Sequence, residues 1–164
     1  MSSNKYREHL VVLPEDDANR QIVLGFLLNS EVINRVIQVK NSLGGWTKVK
    51  GALTDEYVSL LRQFKLKMVL LLIDFDMDKD RLSKIQEEIP AELRDRVFVL
   101  GSLSNAEALR EIPDVKSLEG IGKALAQDCV DKTKKVWEHD LLAHNQDELA
   151  RMIKIVKPFL FLQN

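Results

Sequence analysis

The sequence predicts an α/β fold, with a central, mostly parallel sheet flanked by helices. Three observations lead there. First, "HLVVL" ending at Leu13, "MVLLLI" ending at Ile73 and "RVFVL" ending at Leu100 are apolar runs rich in valine, leucine and isoleucine. A strand covered on one face alternates apolar with polar, whereas one covered on both faces reads as continuous, as in a parallel sheet between two helix layers. Second, the segments between these runs change to helical spacing of their apolar residues. Third, strands and helices alternate along the chain, which calls for right-handed crossovers.

Element by element, His9 to Leu13 is the first strand. After Glu15, the residues Ala18, Ile22, Val23, Phe26 and Leu27 recur at helical spacing, so a helix begins at Asp16 or Asp17. "VINRVIQV", from Val32 to Val39, is more mixed and suits a strand near the sheet edge. "NSLGGWTKVKG" is read as a loop whose Gly44-Gly45 pair marks a turn. Thr54 to Phe64 forms a second helix, with Thr54 as its cap and Asp55 and Glu56 in the favourable first turn. Ser104 with Glu107, and Asn145 with Glu148, share the spacing of a capping box, and the last helix runs towards Pro158. The expectation is a single domain over 1–164, with a core at about 8–112 and a helical C-terminal extension at about 117–164.

Composition narrows the function classes. The chain has 164 residues, 45% of them hydrophobic, enough for one ordinary globular domain. Lysine and arginine total 24 against 25 acidic residues, so no overall positive field announces nucleic-acid binding, and any such site is local or helped by metal. Cys129 is the sole cysteine, which excludes an intrachain disulfide and suits a reducing compartment. The apolar run Met68 to Ile73 is too short to cross a bilayer, and "MSSNKYREH" does not resemble a signal peptide. A cytoplasmic protein without membrane contact is expected.

The chemistry concentrates where the strands end. "MVLLLIDFDMDKDR" places Asp74, Asp76, Asp78 and Asp80 on alternate positions directly after the most hydrophobic run. If this strand neighbours the first, Glu15 and the Asp74–Asp76 pair leave adjacent carboxyl ends, where ligands gather in such folds. On an extended chain Asp74 and Asp76 point to the same side. Like charges about 4 Å apart repel by about 4 kcal/mol at an effective dielectric of about 20. Such a site is partly protonated or holds a divalent cation, and oxygen-only ligands favour magnesium, manganese or calcium over zinc. Asp78 and Asp16 are candidates for a second ion, whereas Asp80 suits a solvated turn.

A glutamate just after the first strand, with Asp-x-Asp at the end of a later hydrophobic strand, resembles the Toprim domain, a Rossmann-like fold. It is found in type IA and type II topoisomerases, bacterial primases, small nucleases and OLD-type nucleases linked to phage defence. The resemblance covers roughly Leu10 to Leu100. It implies that Glu15 matches the family's acidic residue and that Asp74 and Asp76 match its metal-binding pair. The implied activity is Mg2+- or Mn2+-dependent phosphodiester hydrolysis of nucleic acid, DNA ahead of RNA, in defence against phage or foreign DNA. Family members often carry glycine after the glutamate, whereas Asp16 and Asp17 stand here. Strand passage of the topoisomerase kind needs a positioned tyrosine, and neither Tyr6 nor Tyr57 has a supporting context.

The start "LVVLPEDDANRQIVLGFL" also resembles a response-regulator receiver domain, in which an acidic pair after the first strand joins an aspartate after the third to bind magnesium. Ser102 falls where receivers carry a hydroxyl, but the loop around Gly44 is long and no lysine after a fifth strand is identifiable. That reading implies phosphorylation of Asp74 or Asp76, and the alternative to a nuclease is a receiver-like or catalytically silent Toprim-like module that regulates by binding. Among other candidates, Glu107 is a further metal ligand or part of a helix cap. Lys48 and Lys50, beside Trp46 and with Lys40 nearby, and Arg81 after the aspartates, are candidate nucleic-acid contacts. "GIGK" at Gly120 to Lys123 lacks the rest of a Walker motif, so the chain is not expected to hydrolyse ATP, and the OLD-type resemblance implies a separate ATPase or other protein as a partner. His139 and His144 are five apart, off the zinc spacing of a helix face, and Trp137, Leu141 and Leu142 are read as core.

Overall fold

The computed structural model describes residues 7–162. Four parallel strands form its sheet: β1 (His9–Pro14), β2 (Ile37–Val39), β3 (Lys67–Leu72) and β4 (Val97–Leu100), in the order β2-β1-β3-β4. The α/β architecture expected from the sequence is therefore present, with the mixed segment supplying the short edge strand β2. The register sets Val11 beside Val69 and Leu71 beside Val99. Because neighbouring side chains on a strand face opposite ways, these apolar runs feed two separate cores. Leu10, Val12, Leu70, Phe98 and Leu100 belong to one, and Val11, Leu13, Val69, Leu71, Val97 and Val99 to the other.

The first core is roofed by α1 (Asp17–Phe26), α5 (Leu118–Asp131), α6 (Gln146–Ile155) and the short α7 (Lys157–Leu160). The second lies under α2 (Trp46–Ala52), α3 (Val58–Gln63) and α4 (Arg81–Gln86). Helices α1 and α5 touch backbone to backbone. A Cβ added at Gly122 would lie 1.8 Å from the carbonyl oxygen of Ile22, and one at Gly25 2.0 Å from that of Glu119. Gly122 of "GIGK" thus serves helix packing.

Four local expectations need correction. The glycine loop is shorter than its composition suggests, because α2 begins at Trp46 and continues through a π turn, Leu53–Tyr57, into α3. Thr54 therefore sits inside this helical stretch, where its hydroxyl donates to the carbonyls of Lys50 and Gly51 instead of capping. Asn105, not Ser104, caps the 3-10 turn Ala106–Glu111, accepting from the Ala108 amide. Asn145 and Glu148 do not form a capping box. The Glu148 carboxylate accepts the Val99 amide at 2.8 Å, and Asn145 both accepts from the amide and donates to the carbonyl of Gly101. These two side chains take the outward hydrogen-bonding positions of edge strand β4 that another strand would occupy.

Among the described residues no helix is long and apolar enough to cross a membrane.

Candidate metal site at the strand ends

Glu15 leaves β1 held on both sides: its amide donates to Leu72 O at 2.8 Å, and its carbonyl accepts from Gly44 and Gly45 at 2.8 and 3.2 Å. The positive φ values of those glycines, 91° and 145°, let the loop fold back onto Glu15. Asp16 follows as the cap of α1, its Oδ1 accepting from the Asn19 backbone and side-chain nitrogens, both at 2.9 Å. The Asn19 amide also donates to Asp74 Oδ1 at 3.0 Å, and the Ala106 backbone amide reaches the same oxygen at 3.0 Å. Asn19, buried to 1% exposure, thereby joins the carboxylates of two strand ends.

Ligand oxygens of Glu15, Asp16 and Asp74 all lie within 4.8 Å of one another. Glu15 is 8% exposed and Asp74 6%, and Glu15 Oε1 makes no hydrogen bond. Burial, and then the charge of Asp74, push the Glu15 carboxyl up to about 7. Burial likewise raises Asp74, against the lowering effect of its bond from Asn19. An unpartnered buried carboxylate oxygen costs about 1–3 kcal/mol, and a divalent cation would relieve both that cost and the repulsion. Two oxygens bound to one ion are separated by at most twice the ion–oxygen distance, about 4.8 Å for calcium and about 4.2 Å for magnesium. The cluster could thus hold a divalent ion with oxygen ligands.

Asp16, rather than Asp76, joins Glu15 and Asp74 in this cluster. Strand β3 stops at Leu72, and Asp76 and Met77 adopt left-handed φ values of 49° and 63°. Their amides donate to Ser104 O and Leu103 O at 2.8 and 2.7 Å. The exposed Asp76 carboxylate pairs with Arg81 at 2.7 Å rather than lying parallel to Asp74. Arg81 is buried, donates also to Asp74 O at 2.7 Å, and stacks its guanidinium 4.5 Å from the Trp46 ring. Asp78 accepts from Lys84 and from the Asp80 amide, each at 3.0 Å, which holds its carboxyl below the ordinary range. Glu107 is exposed and paired with Arg110 at 3.2 Å.

Lys48 is exposed, while the Lys50 ammonium lies 5.5 Å from the Trp46 ring and 3.9 Å from Glu88. Tyr57 is buried in the second core, and Tyr6 lies outside the described residues. Trp137 and Leu142 are core as expected, with Leu141 half-buried. His144 stacks edge-on against Phe75, and His139 accepts from the Leu141 amide.

No family model matches the chain, and no curated protein is significantly similar to it. Sequence reasoning missed Asn19, although its place three residues after a capping aspartate was visible. The contact of Arg81 with Trp46 left no local pattern, because the two are brought together only by the fold, and its bond to the Asp74 carbonyl depends on the path of the loop after β3.

Proposed function

We propose that the chain is a Toprim-like, divalent-metal-dependent phosphodiesterase or nuclease acting on nucleic acid, DNA ahead of RNA. The observation that carries the proposal is the unpartnered, buried Oε1 of Glu15 inside a cluster whose ligand oxygens lie within 4.8 Å. A magnesium or manganese ion there would polarise a phosphodiester and lower the pKa of water. Glu15, Asp16 and Asp74 are the ligands in this reading. Asn19 and the Ala106 amide orient Asp74 by donating to its Oδ1. Asp76 and Asp78, accessible beside the site and held by Arg81 and Lys84, are the reserve of carboxylates for a second ion. Lys48, Lys50 and Arg81 are the cations that would meet the phosphates in this reading. A cytoplasmic role against phage or foreign DNA, with a separate ATPase as partner, completes the proposal.

The test is incubation of purified protein with Mg2+ or Mn2+ and plasmid, single-stranded DNA and RNA, alongside calorimetric Mn2+ titration of wild type and Asp74→Ala. Cleavage by wild type alone, with metal binding lost in the variant, supports the assignment. No cleavage of any substrate, together with unchanged metal binding by the variant, refutes it.

The receiver reading has two observations in its favour: the cluster contains Asp16, and Ser102 follows β4. Against it, Glu148 and Asn145 already occupy the outer edge of β4 where a fifth strand would pair. It predicts phosphorylation of Asp74 or Asp76 by acetyl phosphate with magnesium, detectable as an 80 Da gain in mass for one added phosphoryl group, about the mass of HPO3.

A further inference from the structure

Arg81, the first residue of α4, is a buried cation whose charged partner is exposed: its side chain is 10% exposed and that of Asp76 57%. The guanidinium is fixed without that partner, since it lies 4.5 Å from the Trp46 ring and its Nη1 donates to Asp74 O at 2.7 Å. Nη1 carries two hydrogens, and the second goes to Asp76 Oδ2, also at 2.7 Å. Nε is buried without a partner, and among the described residues no other carboxylate pairs with Arg81. We infer that Arg81 Nη1 is the binding site for a phosphate oxygen of a nucleic-acid strand, and that the Asp76 carboxylate occupies this site until the strand displaces it.

A desolvated guanidinium requires an anion, and here the anion comes from the solvent side, which is open to a larger one. Exchange needs only a turn of the Asp76 side chain, because the backbone is fastened by the Asp76 and Met77 amides on Ser104 O and Leu103 O at 2.8 and 2.7 Å. A planar, weakly hydrated guanidinium suits phosphate oxygens. A lone carboxylate answers one cation, whereas a strand carries a charge at every nucleotide. Lys50, 5.5 Å from the same Trp46 ring, and Lys84, which holds Asp78 at 3.0 Å, are the cations beside Arg81 for flanking phosphates. Because Arg81 is bonded to the main chain of Asp74, a phosphate on Nη1 would lie beside the carboxylate cluster. The choice of a strand over free phosphate rests on the phosphodiesterase reading, which this site deepens. Asp76, drawn to a second ion, would leave Arg81 free, so metal and strand would favour each other.

The full chain in EDTA, so that no ion holds the phosphate, is titrated with inorganic phosphate and with a thymidine tetranucleotide while the Arg81 Nε–H and Trp46 indole NMR signals are followed. Asp76→Gly empties the place, and glycine suits the left-handed φ of 49° there. The expected result is a saturable shift with both probes, about tenfold or more tighter in Asp76→Gly than in wild type, the worth of one charge-assisted hydrogen bond, with the tetranucleotide ahead of phosphate. Arg81→Met in the Asp76→Gly background should abolish the Trp46 response. If loss of that buried side chain prevents folding, the Arg81 signal of Asp76→Gly still decides. Absence of a saturable shift in Asp76→Gly overturns the inference, as does equal binding by wild type and variant. A response to phosphate without one to the tetranucleotide assigns the site to free phosphate and overturns the strand. Cleavage and Mn2+ binding judge the metal reading separately, so either can fail while the other stands.

Discussion

Raising pH should destabilise the metal-free protein through Glu15 in particular. Its carboxyl sits at about 7 in the folded chain against an ordinary 4.5. A raised acid pKa means that the folded state holds the proton more tightly, so between about 4.5 and 7 the native state binds more protons than the unfolded one. Stability then falls as pH rises, the loss being complete above about 7. The interval, at about 1.4 kcal/mol per pH unit, amounts to about 3 kcal/mol. Direct Coulomb repulsion is of the same order: charges 4.8 Å apart at an effective dielectric of about 20 repel by about 3 kcal/mol. Urea unfolding of wild type and Glu15→Gln in EDTA, at pH 4.5 and 8, isolates this contribution, because every other carboxylate titrates in both proteins. The stability difference, variant minus wild type, should grow by about 3 kcal/mol across the interval. Since Glu15 and Asp74 interact, the step belongs to the pair. Saturating Mg2+ should shrink the effect by replacing the proton. Parallel pH profiles for the two proteins would refute the electrostatic account of the cluster.

Three further outcomes follow from contacts elsewhere. Asn19→Ala removes the donor shared by Asp16 and Asp74, and should cost about 1–3 kcal/mol in urea unfolding while weakening Mn2+ binding in calorimetry. Gly122→Ala forces a Cβ to within 1.8 Å of Ile22 O, so α1 must shift and stability should drop by about 1–3 kcal/mol or more; an unchanged melting temperature would contradict the close helix approach. Glu148→Ala strands the Val99 amide and should lose about 1–3 kcal/mol, whereas Glu148→Gln, which keeps an acceptor oxygen, should lose less.

Much of this architecture was legible because burial on both faces writes itself into composition. Leu10 to Leu13 and Met68 to Leu71 had to be apolar at every position to feed two cores, and the run pattern followed. Convergence of Glu15 and Asp74 was readable once those strands were taken as neighbours. The fate of Asp76 was not, since it depends on where β3 ends and on a left-handed turn that no glycine announces. Arg81 and Trp46, 35 positions apart, meet only through the fold. Asn145 and Glu148 misled for a related reason. Their spacing suits a cap, but both side chains turn to the edge of β4, where buried amides offer a stronger demand for acceptors.

That edge has a consequence for how the protein fails. A carboxylate and a carboxamide, rather than a backbone, shield the outer side of β4, and both are carried near the start of α6. Fraying of this one helix would bare a short row of apolar-flanked amides while the rest of the sheet stayed folded. Proteolytic nicking around residue 144 should therefore yield self-associating material before it yields unfolded chain, with α6 acting as the molecule's guard against strand-to-strand polymerisation.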